Sequence, residues 1–189
     1  MLTERAPRGA VLRAEFAKSD SMSQLSLPPD TRLPELASSL AAALKEGTAA
    51  DLQPLCTKFV SLAAEFYGVA KPGVRVLAAR PLRVREGWAS ELFGDYSPQT
   101  HLIRVWMRTA VRKQVTSFGT FLSTLCHEFC HHLDYQSFKF QDSWHTRGFY
   151  ERTAALYHHA GGTPPKRLFW IKMARGRWRI DWVRTRRGF

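Results

Sequence analysis

The sequence predicts an α+β fold: helices at the N-terminal end, then a short, mostly antiparallel sheet packed on one central helix. Two observations indicate this class. Apolar residues recur at helical spacing through 32–67 and alternate with a period of two from Val74, and the helical period returns at 117–135. The 189 residues suffice for one well-buried domain with extensions.

Composition divides the chain into three segments. Residues 1–30 are polar and serine-rich and end near the Pro28-Pro29 pair, which predicts a flexible N-terminal extension. Residues 31–165 are the predicted folded domain, with its core in 74–160. Residues 166–189 form a basic, aromatic C-terminal tail.

Two helices are predicted before the sheet. The first covers 32–46, where leucines recur at helical spacing and Gly47 follows as a stop. Asp51 is expected to cap the second helix, which runs to about Tyr67.

Three strands are expected next, at about 74–84, 91–96 and 101–107. A turn at 97–99 is expected to join the last two strands into a hairpin. One face of the third strand is apolar and consists of Ile103, Val105 and Met107.

The helix predicted at 117–135 contains an H-E-x-x-H pattern at 127–131. His127 and His131 lie one turn apart on one helix face, so their imidazoles point to the same place. The opposite arc of the helix is apolar: Phe121, Leu122, Leu125, Cys126, Phe129, Cys130 and Leu133. Zinc favours nitrogen ligands, and a catalytic zinc site takes three protein ligands and water. Glu128 lies beside the pair, where it can hold that water.

Two residues compete as the third ligand. A helix is expected over 145–159, and His145 shares its inward stripe with Phe149 and Leu156. Glu151 lies twenty residues after the second histidine, a spacing that resembles thermolysin-type peptidases. Six helical residues, about 240° of rotation, separate the two candidates, so both cannot face one metal ion. His145 is the favoured ligand.

The pattern at 127–131, followed by His145-Thr-Arg-Gly-Phe149, resembles the SprT-like zinc metallopeptidases. That family pairs H-E-x-x-H with a later histidine that opens a helix as H-x-x-x-[FW]. The segments 94–96 and 103–105 are similar to the strand hairpin that precedes the motif helix in zincins, and the resemblance covers about 74–160. Many relatives also have a zinc ribbon built on C-x-x-C pairs, and this chain has no such pair.

The resemblance implies a zincin-like metallopeptidase domain over 31–165 that acts on protein or peptide substrates. Its one Zn²⁺ ion would have three ligands: His127, His131 and His145. Glu128 would be the general base, which takes a proton from water and passes it to the leaving amine. The strand at 101–107 would be an open sheet edge that pairs with an extended substrate.

Four further residues are candidates for supporting roles. Tyr150 and His158 could stabilise an oxyanion, although a structural role is favoured for both. His132 is expected to be a hydrogen-bonded boundary histidine. Asp134 either orients a ligand histidine or makes a local bond at the helix end.

The net charge of +12 indicates an anionic partner, for which nucleic acid is the usual candidate. The tail at 166–189 has nine Lys or Arg residues and one acidic residue. Its aromatic residues are Phe169, Trp170, Trp178, Trp182 and Phe189. Cations neutralise phosphates and aromatic rings stack on unpaired bases, which favours single-stranded nucleic acid. The alternative is a tail that folds back on the domain, with these rings in the core.

The three cysteines, Cys56, Cys126 and Cys130, indicate a reducing compartment. The last two lie on the apolar arc of the motif helix, which predicts buried thiols and not metal ligands. No run approaches transmembrane length, and the N-terminus lacks the apolar core of a secretory signal. Cytoplasm is therefore the expected location, with no membrane partner.

Two other functions compete with a peptidase. One is a zinc-containing nucleic-acid-binding or scaffolding protein with little turnover, for which Glu128→Gln would leave function intact. The other is a metal-dependent hydrolase of a non-peptide amide, which predicts a closed pocket and not a groove beside the strand.

Overall fold

The computed structural model describes residues 1–85 and 88–188. Within them the helices are α1 (Ala10–Ser21), α2 (Arg32–Glu46), α3 (Ala49–Phe66), α4 (Phe118–Gln136), α5 (Arg147–Ala160) and α6 (Trp182–Arg187). The strands are β1 (Gly73–Ala79), β2 (Leu82–Arg85), β3 (Trp88–Glu91), β4 (Gly94–Ser97), β5 (Leu102–Arg108), β6 (Trp170–Lys172) and β7 (Trp178–Ile180). The α+β class is confirmed. Among the described residues, no helix is both long and apolar enough to cross a membrane.

The helix starts follow from local capping. Thr48 begins α3, because its hydroxyl accepts from the Asp51 amide while the Asp51 carboxylate accepts from the Thr48 amide at 2.7 Å. This is a capping box, so Asp51 supports the cap from the first turn and is not the N-cap itself. Ser117 caps α4 by accepting from the Thr120 amide at 3.3 Å.

The central sheet has the order β1-β5-β4. β5 runs parallel to β1, with Val76 opposite Val105, and antiparallel to β4, with Tyr96 opposite Ile103. β2 pairs with β3 and β6 with β7, both antiparallel, so the pairing is mostly antiparallel as predicted. The prediction that 101–107 is an open edge is wrong, because β5 is the middle strand. In the described structure the free edge beside α4 belongs to β4.

Two predicted strands are each divided. The strand expected at 74–84 ends with β1, and β2 resumes after Pro81, which has no amide hydrogen for a sheet ladder. The strand expected at 91–96 is shared between β3 and β4, which belong to different sheets. The hairpin between β4 and β5 forms as predicted.

One hydrophobic core holds the helices on the sheet. α3 packs on β1, and α4 packs on β4, β5 and α5. The apolar face predicted for β5 is buried: Ile103, Val105 and Met107 are 0–1% exposed. Phe121, Leu125 and Phe129 of α4 join the same core. This packing fixes α4 along its apolar face and leaves the face with His127 and His131 toward a cleft.

Residues 1–30 are not a loose extension. They include α1, which packs on α5. A Cβ atom added at Gly148 would overlap the carbonyl oxygen of Ser19 and lie 2.8 Å from that of Met22, so the two helix ends touch directly. Asp20 pairs with Arg147 beside this contact. Composition missed it because the contacts are polar: Ser19 is fully buried but hydrogen-bonds through its hydroxyl to Thr146.

The tail folds back on the domain. β6 and β7 form a hairpin, and Leu2 bridges to Arg179 beside it. Leu168 and Ile180 are buried in the core. Phe189, one of the aromatic residues counted in the tail, lies outside the described residues.

Candidate metal centre

Three histidine side chains meet at one point. The Nε2 atom of His127 lies 3.0 Å from Nε2 of His145 and 3.2 Å from Nε2 of His131. One ring nitrogen of each residue lies within 4.8 Å of the others, and each side chain is partly buried. The structure thus brings together the three residues that the sequence predicts as ligands, close enough to hold a metal ion.

Two elements position these rings. α4 presents His127 and His131 from successive turns. His145 precedes α5, because the helix begins at Arg147 with Thr146 as its N-cap, and not at 145 as predicted. The Phe149 ring lies against all three imidazoles, with centroid distances of 4.9, 4.5 and 5.3 Å. The apolar ring therefore closes one side of the site.

Glu151, the competing ligand candidate, lies elsewhere. Its Oε1 atom accepts a hydrogen bond from Nε1 of Trp170 at 3.0 Å. Since α5 turns this carboxylate toward the tail, it is not part of the histidine cluster, as the helical rotation predicts.

His131 is oriented by a buried polar chain. Its Nδ1 atom lies 2.7 Å from Oγ of Ser143, and that hydroxyl donates to Oδ2 of Asp134 at 2.7 Å. Oδ1 of Asp134 accepts from Arg152 at 2.8 Å, and both members of this ion pair are buried. Asp134 is therefore linked to His131 through Ser143, and of the two roles that the sequence left open this geometry fits the one in which Asp134 orients a histidine.

His145 is oriented by the N-terminal segment. Oε1 of Glu4 lies 2.6 Å from Nδ1 of His145, and the Glu4 amide donates to the His145 carbonyl oxygen at 3.0 Å. The hydrogen bond with His145 is the main cause that lowers the pKa of Glu4. Glu4 is held in turn by its neighbour Thr3, whose amide donates to the Trp178 carbonyl oxygen.

These partners fix the tautomers. A carboxylate only accepts, so Nδ1 of His145 donates to Glu4, and in the neutral form of this ring Nε2 has the lone pair. The Ser143 hydroxyl already donates to Asp134, so Nδ1 of His131 donates to Ser143, and again Nε2 has the lone pair. Two lone pairs therefore face the Nε2 atom of His127, which can donate at most one hydrogen. A metal cation would remove this mismatch.

The spacing and charge of the rings fit a metal ion. Nitrogens bound to tetrahedral zinc at about 2.0–2.1 Å are about 3.3 Å apart, close to the 3.0 and 3.2 Å found here. Burial, with His145 nearby, lowers the pKa of His127 to about 3, and burial also lowers the pKa of His131. Both rings are therefore neutral at pH 7, the form that binds metals.

Glu128 lies beside the cluster on the wall of the same cleft. Glu128 is 5% exposed. Burial is the main cause that raises the pKa of its carboxyl group to about 8, and the nearby Asp95 raises it further. A Cβ atom added at Gly94 would lie 2.8 Å from Oε1 of Glu128 and 2.6 Å from Cγ2 of Thr124. Only glycine therefore lets β4 approach α4 this closely, and the approach holds the carboxylate in place.

No family model, curated protein or solved structure matches this chain.

The cleft at the cluster has a volume of about 510 Å³ and is partly open to solvent. α4 forms one wall, with His127, Glu128 and His131. The edge strand β4 forms another, with Gly94 and Asp95. An extended chain could lie between these walls, whereas a closed pocket is absent from this part of the described structure.

The remaining candidates have other partners. The Tyr150 hydroxyl donates to the Leu2 carbonyl oxygen at 3.3 Å, and its ring stacks on His145 with centroids 5.7 Å apart. His158 bonds to Thr163 through Nδ1 at 2.8 Å and lines a different cleft. His132 donates from Nε2 to the Ala70 carbonyl oxygen at 2.7 Å, so it is a satisfied structural histidine as predicted.

Sequence reasoning missed Glu4 and Ser143. Glu4 lies in a segment whose composition predicts no fixed structure, so nothing local marked it. Ser143 lies two residues before His145 in a predicted loop, and that proximity was the available signal.

Proposed function

We propose that the protein is a SprT-like, zincin-like zinc metallopeptidase that hydrolyses peptide bonds. The observation that supports this most directly is the convergence of the Nε2 atoms of His127, His131 and His145 beside the carboxylate of Glu128. Two nitrogens present lone pairs to the shared space. The adjacent Glu128 is buried with its pKa raised to about 8, and a cation bound by the histidines would favour its ionised form, which a general base needs.

The donor set favours zinc. Three imidazoles and no thiolate suit a catalytic zinc site with one open position. Cys126 and Cys130 lie on the buried side of α4, where burial raises the pKa of both thiols. The cysteines are therefore not ligands, and their reduced state agrees with a cytoplasmic location.

Different groups would perform the separate steps of hydrolysis. A bound zinc ion would supply Lewis acidity, activating water and polarising the substrate carbonyl group. Glu128 would take the proton from the attacking water and return it to the leaving amine. Glu4, and Asp134 through Ser143, would keep the Nδ1 protons of His145 and His131 in place, so that both rings present Nε2.

The open cleft supports a peptide substrate. β4 is an edge strand with backbone groups available for pairing, and it lies beside Glu128. An extended peptide added to this edge would place its backbone along the histidines with little dependence on side chains. This arrangement favours a peptide over a small amide held in an enclosed pocket.

A zinc-containing nucleic-acid-binding or scaffolding protein is the competing function, and the basic tail favours it. Arg175, Arg179, Arg184 and Arg187 are exposed around the β6–β7 hairpin and α6. Such a protein would bind anionic strands without using Glu128.

The deciding experiment measures zinc content and casein cleavage for the wild type and Glu128→Gln, with and without single-stranded DNA. We expect both proteins to hold one zinc ion and only the wild type to cleave. If both hold zinc and neither cleaves while DNA binds, the nucleic-acid-binding function is supported. If neither holds metal, the proposed function is wrong.

A further inference from the structure

A second cleft continues from the histidine site across the N-terminal half of α4. Its volume is about 540 Å³, and it shares four lining residues with the first cleft: Met1, Phe93, Ser123 and Thr124. Ser123 and Thr124 lie one turn before His127 on α4. A chain that occupies the first cleft therefore has a continuous path into the second on one side of the histidines.

The two clefts differ in charge. The histidine cleft is lined by Glu91, Asp95 and Glu128, and no lysine or arginine is among its described lining residues. Glu91 and Asp95 are paired with Arg80 and Arg104, and the raised pKa of Glu128 leaves it largely neutral at pH 7, so this cleft has little net charge. The second cleft has Lys166 and Arg186, and its described lining includes no acidic residue. Burial lowers the pKa of His158 there, so this imidazole adds no charge at pH 7.

Two more features complete the second cleft. Ser117 and Gly119, at the N-terminal end of α4, line its wall, so the positive end of the helix dipole faces the same space as Lys166. The floor is apolar and includes Leu168 and Ile180, and Trp182 is 41% exposed at this cleft.

We propose that the second cleft binds the part of the substrate on one side of the scissile bond and selects peptides with an acidic side chain there. This inference rests on the proposed peptidase function and names its substrate class. An apolar floor suits the neighbouring peptide side chains, while Lys166 and Arg186 pair with the carboxylate. A nucleic acid strand fits less well, because it has a phosphate at every nucleotide and needs a row of cations along its path.

The test uses a peptide series with one fixed cleavable core. Aspartate, lysine or alanine is placed at successive positions on either side of the core, and kcat/KM is measured for the zinc-loaded wild type. We expect aspartate to be preferred over lysine by about 5-fold, since exposed ion pairs contribute little each, and on one side only. In Lys166→Glu/Arg186→Glu the preference should reverse toward lysine at the same positions.

A matched control is Lys45→Glu/Arg75→Glu, which changes the net charge equally on exposed surfaces outside both clefts. It should keep the aspartate preference. The same peptides are also bound to zinc-loaded Glu128→Gln and followed by fluorescence anisotropy, with a single-stranded oligonucleotide as competitor.

The outcomes separate this inference from the proposed function. Cleavage without a charge preference, or with the wild-type preference kept in Lys166→Glu/Arg186→Glu, overturns the inference and leaves the peptidase intact. No cleavage of any peptide, but tighter binding of the acidic ones, overturns the peptidase and supports the cleft. Binding of the oligonucleotide, together with neither cleavage nor binding of any peptide, overturns both.

Discussion

The carboxylate of Glu4 lies 2.6 Å from Nδ1 of His145, although 141 positions separate the two residues in the chain. The same N-terminal segment pairs with the β6–β7 hairpin, where Leu2 bridges to Arg179. The first and last segments of the chain therefore meet beside the histidine cluster. The N-terminal segment contacts His145 directly, and the C-terminal hairpin supports that segment through the bond from the Thr3 amide to the Trp178 carbonyl oxygen.

Glu4→Ala should weaken zinc binding by about 10-fold. The variant removes the acceptor that orients His145, and loss of such an outer partner costs about 10–100-fold in metal affinity. Glu4 is 46% exposed at its side chain, which places the effect at the low end of this range. Competition with a chromophoric chelator measures the affinity.

Glu4→Gln keeps an acceptor without the charge and should fall between Glu4→Ala and the wild type. Glu46→Ala, which changes an exposed glutamate at the end of α2, should leave the affinity unchanged. Equal affinities for Glu4→Ala and Glu46→Ala would show that Glu4 does not position His145.

Asp134→Asn should lower the free energy of unfolding by about 3–5 kcal/mol, because it leaves the charge of Arg152 buried without its partner. Asp134 is 0% exposed and Arg152 is 1% exposed, and Oδ1 of Asp134 lies 2.8 Å from Nη2 of Arg152. Urea unfolding measures the change. Asp30→Asn breaks the exposed pair with Arg32 and should change stability little. A loss for Asp134→Asn no greater than that control would contradict the buried pair.

Gly94→Ala should reduce kcat/KM about 100-fold and leave zinc content unchanged. The added methyl group would displace the carboxylate of Glu128, and a shift of about 1 Å in a catalytic group has this order of cost. Gly73→Ala adds the same group to β1, where the nearest atom is a flexible leucine side chain at 3.2 Å. Its activity should stay close to that of the wild type, and an equal loss in both variants would place the effect in the sheet and not at Glu128.

Native protein should react slowly with a thiol reagent at pH 8. Cys56, Cys126 and Cys130 are free and buried, and burial raises the pKa of Cys56 and Cys130 to about 12. Three thiols should appear after unfolding in guanidinium chloride. Rapid reaction of any one of them in the native protein would contradict the packing of α3 or α4.

The periodicity of apolar residues predicts those helices whose formation depends on residues close together in the sequence. α2 covers 32–46 as predicted, and α4 differs from its predicted range by one residue at each end. The H-E-x-x-H spacing on α4 places His127 and His131 together, because the helix alone decides that distance. The sequence favours His145 because it shares the predicted inward face of a helix with Phe149. His145 lies in the cluster although the helix begins after it, at Arg147.

Long-range pairing could not be predicted in the same way. The parallel contact of β1 with β5 makes β5 central, and no pattern within 101–107 reports which strands lie beside it. Glu4 and Ser19 make polar contacts with residues more than 120 positions away, and polar composition was interpreted as absence of structure. These contacts are specified by hydrogen-bond geometry, which has no period in the sequence.

The central claim is that His127, His131 and His145 hold one zinc ion, and X-ray absorption on protein loaded with zinc tests it most directly. We predict one zinc ion per chain with a shell of nitrogen or oxygen atoms at about 2.0–2.1 Å and outer-shell scattering from three imidazoles. His131→Ala should lose most of the metal. Protein that retains no zinc after loading, or a sulfur shell at about 2.3 Å, would contradict the account.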